Sequence, residues 1–242
     1  MQYIKIKDKE IKSIIREYKN SNVIRMYFKG TTLNISKPRR MTVKQLEKII
    51  KENEEEIYVQ YKKITATENR NIKHWQNGEK IMYKGDIYII KVKEREDKLI
   101  KIFINKEEKN LEIEIPKNMN EEEKKEEIDK AIKKLFKINT NAMISEKLPY
   151  WSQKTKIGYK QYKIGDATSK FGSCIPSKKI LHFSNRLIML PEDKVDAIIV
   201  HELCHIIYAN HSKEFYNLVK TYIKNYDEIN KWLKENSNVI MI

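Results

Sequence analysis

The stretch IIVHELCHIIYANHSKEF, residues 198 to 215, constrains the fold of this chain more than any other, because it carries three of the five histidines. His201 and His205 are four residues apart, so a helix sets them about 40° apart around its axis and about 6 Å along it, on one face. Glu202 follows about 100° around, where its carboxylate reaches a water between ligands without being one. The pattern HExxH supplies two imidazoles for a divalent ion and a carboxylate to take a proton. A catalytic zinc needs a third protein ligand. His211 lies six residues after His205, which on an unbroken helix is about 240° around, on the far side. The helix is therefore expected to stop between them, with Asn210 in the left-handed conformation and Ser212 capping a new helix at SKEF. The competing reading is an amphipathic helix whose apolar stripe, Val195, Ile198, Ile199 and Ile206, buries core histidines. That stripe is compatible with a metal site, since it packs the helix down and leaves Glu202 near a cleft.

Strand and helix signals order the remainder. YIKIK, IKSIIREY, NVIRMYF and TTLNIS are short β-prone segments that read as an antiparallel meander. TVKQ at 42 to 45 has the capping-box pattern, opening a helix from Leu46 to about Tyr61 whose acids at 54 to 56 form a solvated face. A second β region follows in KIMYKGDIYIIKV, with a tight turn at Gly85 and Asp86, then KLIKIFIN and NLEIEIP. The two β regions echo one another, although no repeat stands out. Asn120 opens a long helix, acids first and lysines later, that Pro149 is expected to end. YKQYKIG and KKILHFS read as strands, with DATSKFGSCIPS as an irregular turn between them. Pro191, Glu192 and Asp193 start the histidine helix, and SKEFYNLVKTYI and DEINKWLKE complete the helical part. The fold class is α+β: N-terminal antiparallel β regions with a long helix, then a zincin-like C-terminal domain with a small sheet and the HExxH helix. The domains are expected at 1–118 and 119–242.

A formal charge of +15 raises the question of an anionic partner. The excess is mostly lysine and is spread along the chain, so nucleic acid is weakly supported. Cys174 and Cys204 are too few for a disulfide framework and form no CxxC pair. The opening MQYIKIKDKE has no apolar stretch of the secretory kind, and no run approaches a membrane span, so the cytoplasm is expected.

These residues resemble the YgjP-like metallopeptidase domain, related to the SprT-like zinc proteases. The matches are FGSC at 171–174, ILHFSNRLIMLP at 180–191 and HELCHIIYANHSKEF at 201–215, and the resemblance is strong over about residues 160 to 220. Phe171 stands where the family usually has Trp, and Lys170 where it has Arg. The resemblance implies that His201, His205 and His211 hold Zn²⁺ and that Glu202 is the general base of a zinc peptidase acting on a peptide or protein. Gly172, Ser173 and Cys174 are candidates for substrate contact or support of the site. Cys204 is expected in the core and His182 half-exposed on a strand. Arg186 is a candidate oxyanion or phosphate contact, against a surface salt bridge. The strand at 179 to 184 is expected to flank the cleft and align an extended peptide. Two alternatives stay open. The same site could hydrolyse a nucleotide triphosphate, or zinc could stabilise a nucleic-acid-binding adaptor, against which an intact Glu202 argues. Three imidazoles also accept other first-row divalent ions.

Overall fold

Lys7 and Lys84 each sit in the left-handed region, with φ of 52° and 50°, at the tip of a hairpin, and each hairpin begins a four-stranded sheet of the same design. The computed structural model describes residues 2–19, 21–71, 74–96, 98–168 and 170–236, with the backbone alone at 66–71. Two compact units divide the chain, residues 1–72 and 73–242.

The first unit contains β1 (Gln2–Ile6), β2 (Lys9–Tyr18), β3 (Arg25–Lys29), β4 (Thr32–Pro38), α1 (Val43–Glu52) and α2 (Glu54–Asn71). The strand order is β1-β2-β4-β3, with β2 and β4 parallel. The expected meander is therefore corrected: β3 and β4 form a tight antiparallel hairpin, and it is β4 that joins β2. This pairing buries Ile11, Leu33 and Ile35 at the sheet centre. Thr42 and Gln45 form the reciprocal capping box of α1. The helix breaks at Asn53, whose side chain donates to the Ile49 carbonyl, and α2 continues beyond Tyr61.

The second unit begins with the same pattern in β5 (Lys80–Tyr83), β6 (Asp86–Arg95), β7 (Lys101–Asn105) and β8 (Asn110–Pro116), ordered β5-β6-β8-β7 with β6 and β8 parallel. Even the registers correspond: Ser13↔Leu33 through Tyr18↔Pro38 in one sheet, Ile90↔Leu111 through Arg95↔Pro116 in the other. The turn residues are Lys84 and Gly85, with Asp86 already in β6. Asn120 then caps α3 (Glu121–Thr155) with a second capping box, at Glu123.

Pro149 does not end α3. The helix runs on to Thr155, and Lys156 closes it in the left-handed conformation at φ 58°. Proline removes one backbone hydrogen bond and costs about 3 kcal/mol in a helix interior. Burial of Leu148 and Trp151 on either side of it, with the Trp151 indole donating to Asp196 at 2.8 Å, offsets that cost.

The last sheet joins β9 (Gln161–Gly165), β10 (Gly172–Ile175) and β11 (Ile180–Ser184) in the order β10-β11-β9. Gly172–Ile175 is thus an edge strand where an irregular turn was expected. Three helices follow: α4 (Glu192–Cys204), α5 (Lys213–Tyr222) and α6 (Tyr226–Asn236). One apolar core runs from Trp75 to Ile229, so β5–β8 share it with the histidine helix. The β5–β6 turn also braces the approach to that helix, with Lys84 N–H donating to the Ile188 carbonyl at 2.7 Å and Gly85 N–H to Met189 at 2.9 Å. Gly85 has φ 85°, and a Cβ there would lie 2.9 Å from Pro191 Cα, so only glycine permits this approach. No helix among the described residues is long and apolar enough to cross a membrane.

Candidate metal centre

Helix α4 is apolar nearly all round. Val195, Ala197, Ile198, Ile199, Val200, Leu203 and Cys204 are all buried, so it is a core helix rather than a surface one with a single stripe. Glu192 and Asp193 in its first turn complement the helix dipole. His201 and Glu202 occupy its last turn, and His205 is the C-terminal cap residue.

The helix stops earlier than expected. It ends at Cys204, and Ile206, Ile207 and Tyr208 turn back on the carbonyls of Leu203 and Cys204. Asn210 is not in the left-handed region, so the corner is made by this turn rather than by a glycine-like cap. Ser212 does cap α5, accepting from Phe215 N–H at 3.3 Å. The outcome is the one the histidine spacing demands. His205 Nε2 lies 3.0 Å and His211 Nε2 3.1 Å from His201 Nε2, and the three donor atoms fall within 4.8 Å of one another.

Each of the two helix histidines has a partner behind it. His205 Nδ1 faces the Tyr208 carbonyl at 3.1 Å, and a carbonyl only accepts, so Nδ1 carries the proton and Nε2 its lone pair. His201 Nδ1 lies 2.6 Å from Tyr226 Oη, which lets the ring present Nε2 the same way. Phe215, fully buried, is the floor for all three rings: its centroid is 4.4 Å from His205, 4.9 Å from His201 and 5.0 Å from His211. Neither Tyr226 nor the floor role of Phe215 was visible in the spacing of the histidines.

The donor set fits a zinc ion. Nitrogens bound to one tetrahedral zinc at about 2.0–2.1 Å are separated by about 3.3 Å, close to the spacing here. Burial, followed by the neighbouring His205 and His211, pushes His201 down to about 3, so its imidazole is neutral and available to a cation. His205 is also lowered, first by burial. Glu202 is 4% exposed and its Oε2 has no hydrogen-bond partner among the described residues, an orphaned buried oxygen beside the imidazoles. Burial pushes Glu202 up to about 8, with Lys170 acting weakly the other way. A bound dication beside it would favour the carboxylate.

The FGSC strand lies against this carboxylate. A Cβ on Gly172 would stand 2.5 Å from Glu202 Oε1, so the close approach of β10 to the site requires glycine. Ser173 pairs with His182 on β11, and both are half-exposed. The Cys174 thiol is pushed up to about 11 by burial and then by Glu202, which makes it an inert group. Cys204 is fully buried. Arg186 is buried rather than on the surface. It is 4% exposed, donates to the carbonyls of Ala167 and Thr168, and lies over the Phe171 ring at 4.9 Å. A cleft of about 520 Å³ opens beside the histidines, lined by Lys170, Phe171, Gly172, His201, Glu202 and Lys234 among others.

The strand expected to align a peptide was 179 to 184. That strand is β11, which has β10 on one side and β9 on the other and so has no free edge. The edge next to Glu202 belongs to β10.

Two crystal structures of metallopeptidase zymogens are similar to part of this chain. One is Pyrococcus abyssi abylysin, 15% identical, covering 38% of this chain and 93% of its own with a TM-score of 0.35. The other is Methanocaldococcus jannaschii jannalysin, 22% identical, covering 38% and 94% with a TM-score of 0.35. Among curated proteins none matches. The family model described as YgjP-like, metallopeptidase domain, matches residues 22–236. With that match covering most of its length, the chain belongs to the YgjP-like metallopeptidase domain family.

Proposed function

We propose that this chain is a zinc-dependent peptidase in which His201, His205 and His211 hold the ion and Glu202 is the general base. The observation that carries this reading is the approach of His205 Nε2 and His211 Nε2 to His201 Nε2, at 3.0 and 3.1 Å, beside a buried carboxylate oxygen that lacks a partner among the described residues. Bound there, the ion supplies Lewis acidity, lowering the pKa of a water and polarising a substrate carbonyl. The chain's own groups do the rest. Glu202 Oε2 takes the proton of the attacking water and then delivers it to the departing amine nitrogen. Tyr226 and the Tyr208 carbonyl hold two imidazoles in orientation. The free edge of β10 pairs with the substrate main chain, and Gly172 lets that edge pass close to Glu202.

A second reading, hydrolysis of a nucleotide triphosphate, draws on the cations Lys170, Arg186 and Lys234 that line the cleft. It ranks below the first because the Arg186 guanidinium is already committed to the carbonyls of Ala167 and Thr168. The experiment that separates them exposes the zinc-loaded protein to a peptide library and a nucleotide panel, with Glu202→Gln as the blank. Peptide cleavage absent from the blank supports the proposal, and nucleotide hydrolysis without peptide cleavage reverses it. The blank itself is expected to keep stoichiometric zinc and lose turnover by about 10² or more.

A further inference from the structure

The first sheet is covered on one face only. Leu46 and Ile50 of α1 and Ile57 of α2 share a single apolar cluster with Ile11, Leu33 and Ile35. Side chains alternate along a strand, so the residues between these point away from the helices. On β2 they include Lys12, Arg16 and Tyr18, and on β3 they are Arg25, Tyr27 and Lys29. That face is open to solvent: Tyr18 is 48% and Tyr27 47% exposed, and all four cations are exposed as well.

The lysine excess spread along the sequence conceals a local gathering of arginine. Four of the seven arginines fall between residues 16 and 40. Arg16 and Arg25 stand on either side of Ser36, which pairs with both across β2, β4 and β3. Among the described residues neither arginine has an ion pair, nor do Lys12 and Lys29. Glu10, opposite Lys5, is the one carboxylate that these strands turn to this face. The nearby carboxylates of Asp8 and Glu17 are taken up by Lys9 at 3.0 Å and Lys37 at 2.8 Å.

The second sheet, built in the same order and register, has the opposite electrostatics on the matching face. Ser36 between Arg16 and Arg25 corresponds to Glu114 between Lys93 and Lys101, and Asn34 opposite Tyr27 to Glu112 opposite Phe103. Glu112 holds Lys93 at 3.3 Å, and Glu114 holds Arg95 at 2.6 Å. Its central strand therefore neutralises its neighbours. In the first sheet both carboxylates are gone, leaving a field of one sign between exposed rings.

We propose that this face of the first sheet binds single-stranded nucleic acid, with Tyr18 and Tyr27 stacking on unpaired bases and Arg16, Arg25, Lys12 and Lys29 meeting the phosphates. Cations alone attract any polyanion; rings set among them gain contact area only from a partner with planar groups, and arginine adds a flat face of its own. Tyr27 lies two residues from Arg25, about 7 Å along β3, and two strand spacings, about 10 Å, separate Arg25 from Arg16. A base on the ring thus places its flanking phosphates among the cations. A sheet carrying aromatic and basic side chains suits splayed, unpaired bases rather than a duplex, whose bases are stacked on one another. The site is independent of the metal centre and of the reaction proposed for it.

The test is fluorescence anisotropy of the full chain with labelled oligouridine and oligothymidine of about 12 nucleotides. At about 0.1 M salt both are expected to bind, and more tightly than a duplex of the same length, with log affinity falling against log salt at a slope of about −3 for four phosphate contacts. Ser36→Glu restores the second sheet's carboxylate between the two arginines and is expected to weaken binding about tenfold or more. Ser145→Glu, exposed on α3, adds the same charge elsewhere and is expected to stay within about twofold of the parent. Tyr27→Ala is expected to weaken binding about fivefold or more with the salt slope kept, whereas Phe103→Ala, at the matching place in the second sheet, leaves it unchanged. Circular dichroism checks that each variant is folded, and Arg25→Gln on the exposed edge strand supplies a milder loss in the same direction. The proposal is overturned if neither oligomer binds at about 100 μM protein, if Ser36→Glu and Ser145→Glu have equal effects, or if Tyr27→Ala and Phe103→Ala do. It is equally overturned if the duplex binds as tightly as the single strands, or if polyglutamate displaces the oligomers as well as unlabelled oligomer does.

Discussion

Tyr226 Oη lies 2.6 Å from His201 Nδ1, joining the first residue of α6 to the last turn of α4. The tyrosine is 5% exposed, and burial raises its pKa well above the ordinary phenol value, so it stays a neutral phenol. Such a partner sets the ring's orientation and tautomer, and its loss typically costs 10- to 100-fold in metal affinity. Tyr226→Phe keeps the buried ring and removes the oxygen. It is expected to weaken zinc binding by about tenfold or more, read by competition with a chromophoric chelator. Unchanged affinity would show that packing alone orients His201.

His211 is the exposed member of the triad and the only one outside α4 and its cap. His211→Ala should leave the helices intact, since the side chain contributes little to the core, and should sharply reduce zinc retention on dialysis against a weak chelator. Full zinc content after that treatment would remove His211 from the ligand set.

Gly172→Ala introduces a methyl group 2.5 Å from Glu202 Oε1. Either β10 or the carboxylate must move, and displacement of a reacting group by about 1 Å costs about 10² in rate. The expected result is a fall in kcat of that order with zinc content unchanged. Loss of zinc together with activity would mean that the strand supports the ligands rather than the base.

Removal of the metal should also make stability depend on pH. The His201 pKa is about 3 in the folded chain against an ordinary 6.5, so the unfolded state binds the extra proton. Glu202, held at about 8 against an ordinary 4.5, contributes in the opposite sense over the same range, so the effect of His201 is read in the chelated Glu202→Gln variant, whose stability is full above about pH 6.5 and lost progressively as pH falls toward 3. Denaturant midpoints of that variant measured with a chelator at pH 7.5 and pH 5 should show the fall, and a flat profile would contradict a neutral buried His201.

Asp196 binds α4 to α3 on both sides of Pro149, accepting from the Trp151 indole at 2.8 Å and from Lys147 at 3.2 Å. Asp196→Ala leaves that indole N–H without its acceptor and Lys147 with Glu192 alone, at an expected cost of about 1–3 kcal/mol in unfolding free energy. Asp196→Asn, which retains an acceptor, should cost less. Equal stability of both variants and the parent would show that apolar packing alone carries α3 past its proline.

What the amino-acid order determined by itself was local. The four-residue spacing of His201 and His205, the need for a break before His211, the caps at Thr42, Asn120 and Ser212, and the β-prone runs all follow from the geometry of one helix turn or one strand. Such features depend on neighbours a few residues away, and the structure contains each of them. Pairing partners are another matter. Nothing in the composition of β2 says that it lies parallel to β4, or that β10 rather than β11 has the free edge, because a strand's partner is chosen by burial across the whole sheet. The likeness of the two β regions was faint in residue identity and plain in register for the same reason. Only tertiary packing brought Tyr226 from α6 to His201 and set Phe215 beneath three imidazoles, since those contacts join segments that share no period.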